Sequence, residues 1–158
     1  MVLRPLREED LPRLLEIGRE PKVARWWGDV DETRLRRKLE RGNAFAIGHG
    51  GELVGLVQWW ENEAADFRHA GIDLFLTEAW HGHGLGRDSV RAVARWLIDE
   101  RGHHRITIDP ALANERAIRC YEAVGFRRVG VLRRYWRGPD GEWHDGLLLD
   151  LLADELLT

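Results

Sequence analysis

The feature that most constrains this chain is a glycine-rich hexapeptide, His81-Gly82-His83-Gly84-Leu85-Gly86, set between a strand-like run and a helical stripe. Before it, Ala70 to Leu76 reads as a strand. Behind it, Val90, Val93, Ala94, Leu97 and Ile98 step at i, i+3, i+4, i+7 and i+8, the spacing of an amphipathic helix. Strand, glycine loop and helix in that order make a general anion site. The first N–H groups of a helix lack intrahelical partners, and the helix dipole adds positive potential there. Glycines let an oxyanion approach the main chain with no Cβ in the way. The loop lacks the Gly-Lys-Ser/Thr ending of a nucleotide P-loop, and its glycines do not follow the dinucleotide spacing. A plain flexible turn uses the same residues, and the loop alone does not separate the two readings.

The rest of the chain supplies a mixed α/β order. Val2 to Leu6 reads as a short strand, and Leu11, Leu14 and Leu15 as a helix behind the acidic Glu8-Glu9-Asp10. Asp31 is placed to cap a second helix through Leu35 and Leu39, ending near Gly42. Ala44 to Gly48 and Leu53 to Trp60 form a hairpin around His49-Gly50-Gly51. The helix behind the glycine loop closes at Gly102, and Arg105 to Ile108 is a strand. Asn114 caps a helix carrying Ala117, Ile118, Tyr121 and Val124, stopped by Gly125. Phe126 to Leu132 and Gly146 to Leu152 end the chain as strands across a Gly138-Pro139-Asp140-Gly141 turn. The expected fold class is α/β (α+β): one domain over 1–158, with a mixed central sheet of six to seven strands flanked by about four helices.

Composition narrows the function classes. A net charge of −3 is far from the strong basicity of a nucleic-acid binder. One cysteine, Cys120, excludes an internal disulfide framework and a Cys-rich zinc site. It reads as a small packing residue. His81 with His83, and His103 with His104, find no carboxylate or cysteine at ligand spacing, so no metal is expected. Charges at Arg4, Arg7, Glu8, Glu9 and Asp10 interrupt any leader-like apolar start, and no stretch approaches the length of a membrane span. The expectation is a cytoplasmic protein with no nucleic-acid or membrane partner, a monomer or a homodimer.

Two motifs carry a resemblance. His81 to Gly86 resembles the acetyl-CoA pyrophosphate loop of the GNAT superfamily, Gln/Arg-x-x-Gly-x-Gly/Ala, with His81 standing where Gln or Arg is usual. Asn114-Glu115-Arg116-Ala117-Ile118-Arg119-Cys120-Tyr121-Glu122-Ala123-Val124-Gly125-Phe126 resembles the motif that follows it, Asn-x-x-Ala-Ile-x-x-Tyr-x-x-x-Gly-Phe. The resemblance implies the GNAT fold and acetyl-CoA as co-substrate. It also implies a coenzyme site made of the backbone of Leu74, Phe75 and Leu76, the loop His81, Gly82, His83, Gly84, Leu85, Gly86 and Arg87, and Asn114 and Ala117.

Acetyl transfer from a thioester needs a neutral amine, a stabilised oxyanion and a proton for the departing thiolate. The resemblance makes Tyr121 the general acid; by periodicity alone it reads as a core tyrosine. Asp73 falls on the strand face opposite Ile72 and Leu74, and Asp109 ends the next strand, where ligands of parallel sheets bind. Either carboxylate can take a proton from an ammonium or hold it by charge. Asp109 can equally cap the turn with Pro110, and Asp73 can pair with an arginine.

Arg25-Trp26-Trp27-Gly28, Gly71-Ile72-Asp73, Thr107-Ile108-Asp109-Pro110 and Ile118-Arg119-Cys120-Tyr121-Glu122 together resemble aminoglycoside 6'-N-acetyltransferases. That resemblance implies Asp73 as base, Asp109 as an aminoglycoside contact, Trp26 and Trp27 as part of the antibiotic-side wall, and antibiotic resistance as an outcome. A cationic small-molecule amine suits such carboxylates and aromatic faces. The tail Asp140 to Gly146 instead resembles an element shared with GNAT enzymes for peptide N-termini, polyamines and other amines. Those acceptors are the alternative, and a non-catalytic acyl-CoA sensor is a third reading of another class.

Overall fold

The structure is a computed structural model describing residues 1–158. Seven strands form one mixed sheet in the order β1-β2-β3-β4-β5-β7-β6. They are β1 (Val2–Pro5), β2 (Ala44–His49), β3 (Glu52–Asn62), β4 (His69–Leu76), β5 (Arg105–Ile108), β6 (Arg127–Arg137) and β7 (Trp143–Leu152). Five helices accompany them: α1 (Leu11–Gly18), α2 (Pro21–Trp27), α3 (Glu32–Arg41), α4 (Leu85–Asp99) and α5 (Glu115–Glu122). The α/β class and the expected strand number hold, with one helix more than the sequence suggested. No helix is long and apolar enough to cross a membrane.

The unexpected helix is α2. It is short, buries only Val23, and ends on two adjacent tryptophans, so no amphipathic stripe announces it. What starts it is Pro21 at its first position. What anchors it is the preceding residue. Glu20 accepts from Thr77 Oγ1 at 2.7 Å and from the Glu78 amide at 2.7 Å, and Glu78 accepts from the Lys22 amide at 2.7 Å. These reciprocal bonds fasten the start of α2 to the segment that follows β4.

The chain divides into two compact units, Met1–Gln58 with Leu74–Ser89, and Trp59–Asp73 with Val90–Thr158. In the first, Leu11, Leu14 and Ile17 of α1, Leu35 of α3, Ala44 and Ala46 of β2, Leu56 of β3 and Phe75 of β4 form a buried cluster. Asp31 caps α3 by accepting from the Arg34 amide, as its position predicts. Gly55 admits β4 at close quarters: a Cβ there would stand 2.2 Å from the Phe75 carbonyl oxygen.

In the second unit β4 and β5 run parallel, paired at Ala70 with Ile106 and Gly71 with Thr107, with α4 as the crossover between them. β5 then pairs antiparallel with β7, which pairs with β6. Both last strands are longer than expected. Asn114 accepts from the Ala117 amide and so caps α5. Trp59 and Trp96 pack edge to face with ring centres 4.9 Å apart. Trp60 lies across Gly71, where a Cβ would stand 2.1 Å from the indole.

The two close glycine contacts differ in what blocks the added methyl. At Gly55 it is backbone; at Gly71 it is the indole of Trp60, which is 47% exposed and can turn away. Gly55→Ala is expected to cost the upper part of the roughly 1–3 kcal/mol range of overpacking, and Gly71→Ala about 1 kcal/mol. Urea denaturation of both variants checks the order.

Candidate active site

The group of titratable side chains in the second unit starts from strand register. Gly71 of β4 faces Thr107 of β5, so Asp73 and Asp109 each lie two residues further along their parallel strands, on matching faces. Asp109 is the residue that follows β5, and the segment after it is fixed. The Leu147 amide donates to the Pro110 carbonyl at 2.9 Å, the Leu112 amide to the Asp145 carbonyl at 3.0 Å, and Ala111 bridges Gly146.

Tyr121 arrives from α5. The stripe Ile118, Tyr121 and Val124 is buried as the helical spacing predicts, and Tyr121 is only 7% exposed. Tyr121 is thus the core side chain that periodicity suggests, and one that also lies in the field of carboxylates. Burial pushes its hydroxyl well above the ordinary tyrosine value, and electrostatic interaction with Asp73, Cys120 and Asp109 pushes it further. Tyr121 thus keeps its proton throughout the physiological range.

A fourth member, Tyr135, was not legible in the sequence. Its hydroxyl donates to Asp109 Oδ2. β6 delivers it through an irregularity: Leu132 pairs with Gly146 and Trp136 with His144, so β6 advances four residues while β7 advances two. Within this bulge Arg134 takes a left-handed φ of 47°, and its amide donates to Asp145 Oδ1 at 2.8 Å. The Tyr135 ring passes over Gly146, where a Cβ would stand 2.7 Å from Cδ2. An aromatic facing a glycine across a hairpin was the available signal, but the expected strand stopped at Leu132. The Asp109 bond raises the Tyr135 hydroxyl to about 12.

The coenzyme residues of the first unit form a second set. Gly82 and Gly84 both adopt left-handed φ angles, 78° and 83°, which glycine tolerates and other residues resist. Space is open on the side where a Gly82 Cβ would stand, so the loop backbone presents itself without obstruction. α4 begins at Leu85, and its first intrahelical bond runs from the Asp88 amide to the Gly84 carbonyl. The amides at the helix start are therefore free of α-helical partners, a fit for an extended anion such as a pyrophosphate. The His81 Nε2–H donates to the Leu76 carbonyl at 2.7 Å, tying the loop to the end of β4. The Leu74 carbonyl accepts from Trp27 Nε1 at 3.0 Å. Two of the three carbonyls expected along the coenzyme arm thus already hold side chains.

The tryptophans expected to face an acceptor are both engaged within the chain. Trp27 packs edge-on against Phe75 with ring centres 4.9 Å apart, and Arg25 lies over the Trp26 ring at 4.5 Å. Glu61 is drawn into a cluster with Arg101 at 2.9 Å and His103 at 2.6 Å. Asn114 spends its side-chain oxygen on capping α5. No group of three or more His, Cys, Asp and Glu side chains is arranged to hold a metal ion.

Asp109 makes a prediction of its own. Burial raises its carboxyl above the ordinary value, and the Tyr135 hydrogen bond offsets this only in part. A raised folded-state value means that the native chain holds this proton more tightly than the unfolded one. The resulting stability is present below the unfolded value and is lost as pH rises through the folded one. Asp109→Asn is therefore expected to raise Tm at about pH 7, with the gain shrinking toward about pH 4. Thermal scans across that range check it; an unchanged or lower Tm at neutral pH contradicts burial as the dominant cause.

Residues 1–127 match the family model described as an acetyltransferase (GNAT) domain. The chain is 34% identical over 163 residues to the aminoglycoside N(6')-acetyltransferase type 1 of Klebsiella pneumoniae, covering 89% of this chain and 79% of that protein. It is 24% identical over 141 residues to the spermidine N(1)-acetyltransferase of Escherichia coli strain K12, covering 82% and 74% respectively. Among solved structures it resembles the aminoglycoside acetyltransferase AAC(6')-Ib in complex with coenzyme A and kanamycin. That match has a TM-score of 0.78 and 26% identity, over 98% of this chain and 95% of the other. The chain belongs to the GNAT acetyltransferase family.

Proposed function

We propose that this chain transfers acetyl from acetyl-CoA directly to a primary amine, and that the amine is the 6'-amine of an aminoglycoside. The observation that carries the reading is the buried Tyr121 hydroxyl set within the field of Asp73 and Asp109. The similarity to aminoglycoside 6'-acetyltransferases supports the acceptor.

Acetyl-CoA, the co-substrate, supplies an activated thioester; the Gly82 to Arg87 loop would hold its pyrophosphate. Asp73 takes a proton from the acceptor ammonium and frees the nitrogen lone pair. The C–N bond then forms as the C–S bond breaks, Tyr121 gives its proton to the departing sulfur, and the surplus proton on the new amide nitrogen returns to the Tyr121 oxygen. A thiol has a reference pKa of about 8.5, so a tyrosine held above its ordinary value gives up its proton reluctantly. The pair eases this by linkage. Once Asp73 is protonated its charge is gone, and with it one of the causes that hold the Tyr121 value up. Asp109 remains as a charge for the rest of a polycationic acceptor.

The relative that acetylates spermidine supports a second reading, in which the acceptor is a polyamine or a peptide N-terminus. The retained acid and base argue against a sensor without chemistry. Thiol release from acetyl-CoA with kanamycin, tobramycin, their analogues lacking the 6'-amine, spermidine and short peptides separates these readings. Release with kanamycin that disappears without the 6'-amine is expected. Release only with polyamines or peptides keeps the chemistry and rejects the acceptor.

Tyr121→Phe is expected to lower kcat about a hundredfold or more while acetyl-CoA binding survives, as for loss of a general acid. Asp73→Asn is expected to lower kcat and flatten the acid limb of its pH profile. Unchanged turnover in either variant removes that residue from its role.

A further inference from the structure

We propose that Tyr135 is a positioning residue that sets acceptor choice: by holding one oxygen of Asp109, it shapes the carboxylate to take a single ammonium rather than a guanidinium. The inference rests on the reading of Asp109 as an acceptor contact, and deepens it.

Four observations converge on Tyr135. Its hydroxyl is bonded to Asp109 Oδ2. The bulge that carries it contains the one non-glycine residue with a positive φ, Arg134, pinned by Asp145. Such strain persists only where its surroundings impose it. Gly146, beneath the ring, is also the residue that bridges Ala111, two positions after Asp109. The same short stretch of β7 therefore fixes both partners of the hydrogen bond. Finally, Tyr135 is 45% exposed, so the bond lies where an incoming molecule meets it.

The chemistry follows from the donor geometry. A guanidinium binds a carboxylate best through two parallel N–H bonds, one to each oxygen. An ammonium is a compact point donor and needs only one. With Oδ2 engaged by the phenol, Asp109 favours the point donor. The phenol also supports the charged form of the carboxylate, opposing the burial that would neutralise it. The titratable groups facing this carboxylate are Tyr135 from β6, Tyr121 from α5 and, through its charge on both tyrosines, Asp73 from β4.

Tyr135→Phe tests this, because it keeps the ring over Gly146 and removes only the hydroxyl. With kanamycin as acceptor and acetyl-CoA saturating, KM is expected to rise about tenfold, the scale of one hydrogen bond to a charged group, while kcat changes far less. The acid limb of kcat/KM is expected to move to higher pH, since the carboxyl loses a donor that favoured its ionised form. The preference for kanamycin over a derivative guanidinylated at every amine except the 6' position is expected to narrow. Asp109→Asn is the companion variant. If it raises KM while Tyr135→Phe leaves KM, pH profile and preference unchanged, Tyr135 has no positioning role and the inference falls alone. If Asp109→Asn also leaves KM unchanged, or the parent chain does not acetylate kanamycin, the underlying acceptor reading falls and takes this inference with it.

Discussion

The short stretch Asp145-Gly146-Leu147 of β7 is the point on which the charged site depends. Its backbone accepts from and donates to the segment after β5, which fixes Asp109 at the strand end. Its one missing side chain, at Gly146, leaves room for Tyr135. Its aspartate holds the amide of Arg134 in the bulge, and its carbonyl accepts from Trp136 Nε1 at 3.3 Å. A carboxylate that is substantially buried needs a partner whose position is not negotiable, since an unpaired buried charge protonates instead. Here one piece of strand supplies that rigidity from both sides.

From this follows a division of labour among side chains of similar chemistry. Burial lifts Asp109 and Tyr121 alike, but with opposite consequences. For the phenol it secures the protonated form, the one a general acid requires before the reaction. For the carboxylate it works against the charged form, the one a cation contact requires, and a hydrogen bond from Tyr135 restores part of the balance. Asp73 is the charge that acts on both tyrosines, raising Tyr121 and Tyr135 alike. The first unit serves a different need. Its loop presents unpartnered backbone amides at the start of α4, with Arg87 beside Gly84, groups suited to an anion.

Much of this was legible in advance because it rests on periodicity and on residues with strict backbone demands. The helix α4, the caps Asp31 and Asn114, the hairpin at Gly50-Gly51 and the buried stripe through Tyr121 all appear where spacing placed them. The helix α2 escaped because it is short and its start is held through Thr77 and Glu78, which are remote in sequence. Tyr135 escaped for the same kind of reason. A bulge shifts register by an amount that no local pattern encodes, and an Arg-rich strand gives no apolar alternation to follow. His81 illustrates a third limit. Nothing in the loop motif signals that its ring bonds the Leu76 carbonyl.

The central claim is that Asp73 and Tyr121 act as one proton-handling pair. A double-mutant cycle on kcat with Asp73→Asn, Tyr121→Phe and the combined variant tests it most directly. Groups that act as a unit are strongly non-additive, so the combined variant is predicted to be no slower than the slower single variant within about threefold. Losses that multiply in full would show that the two residues act independently, and would contradict the account.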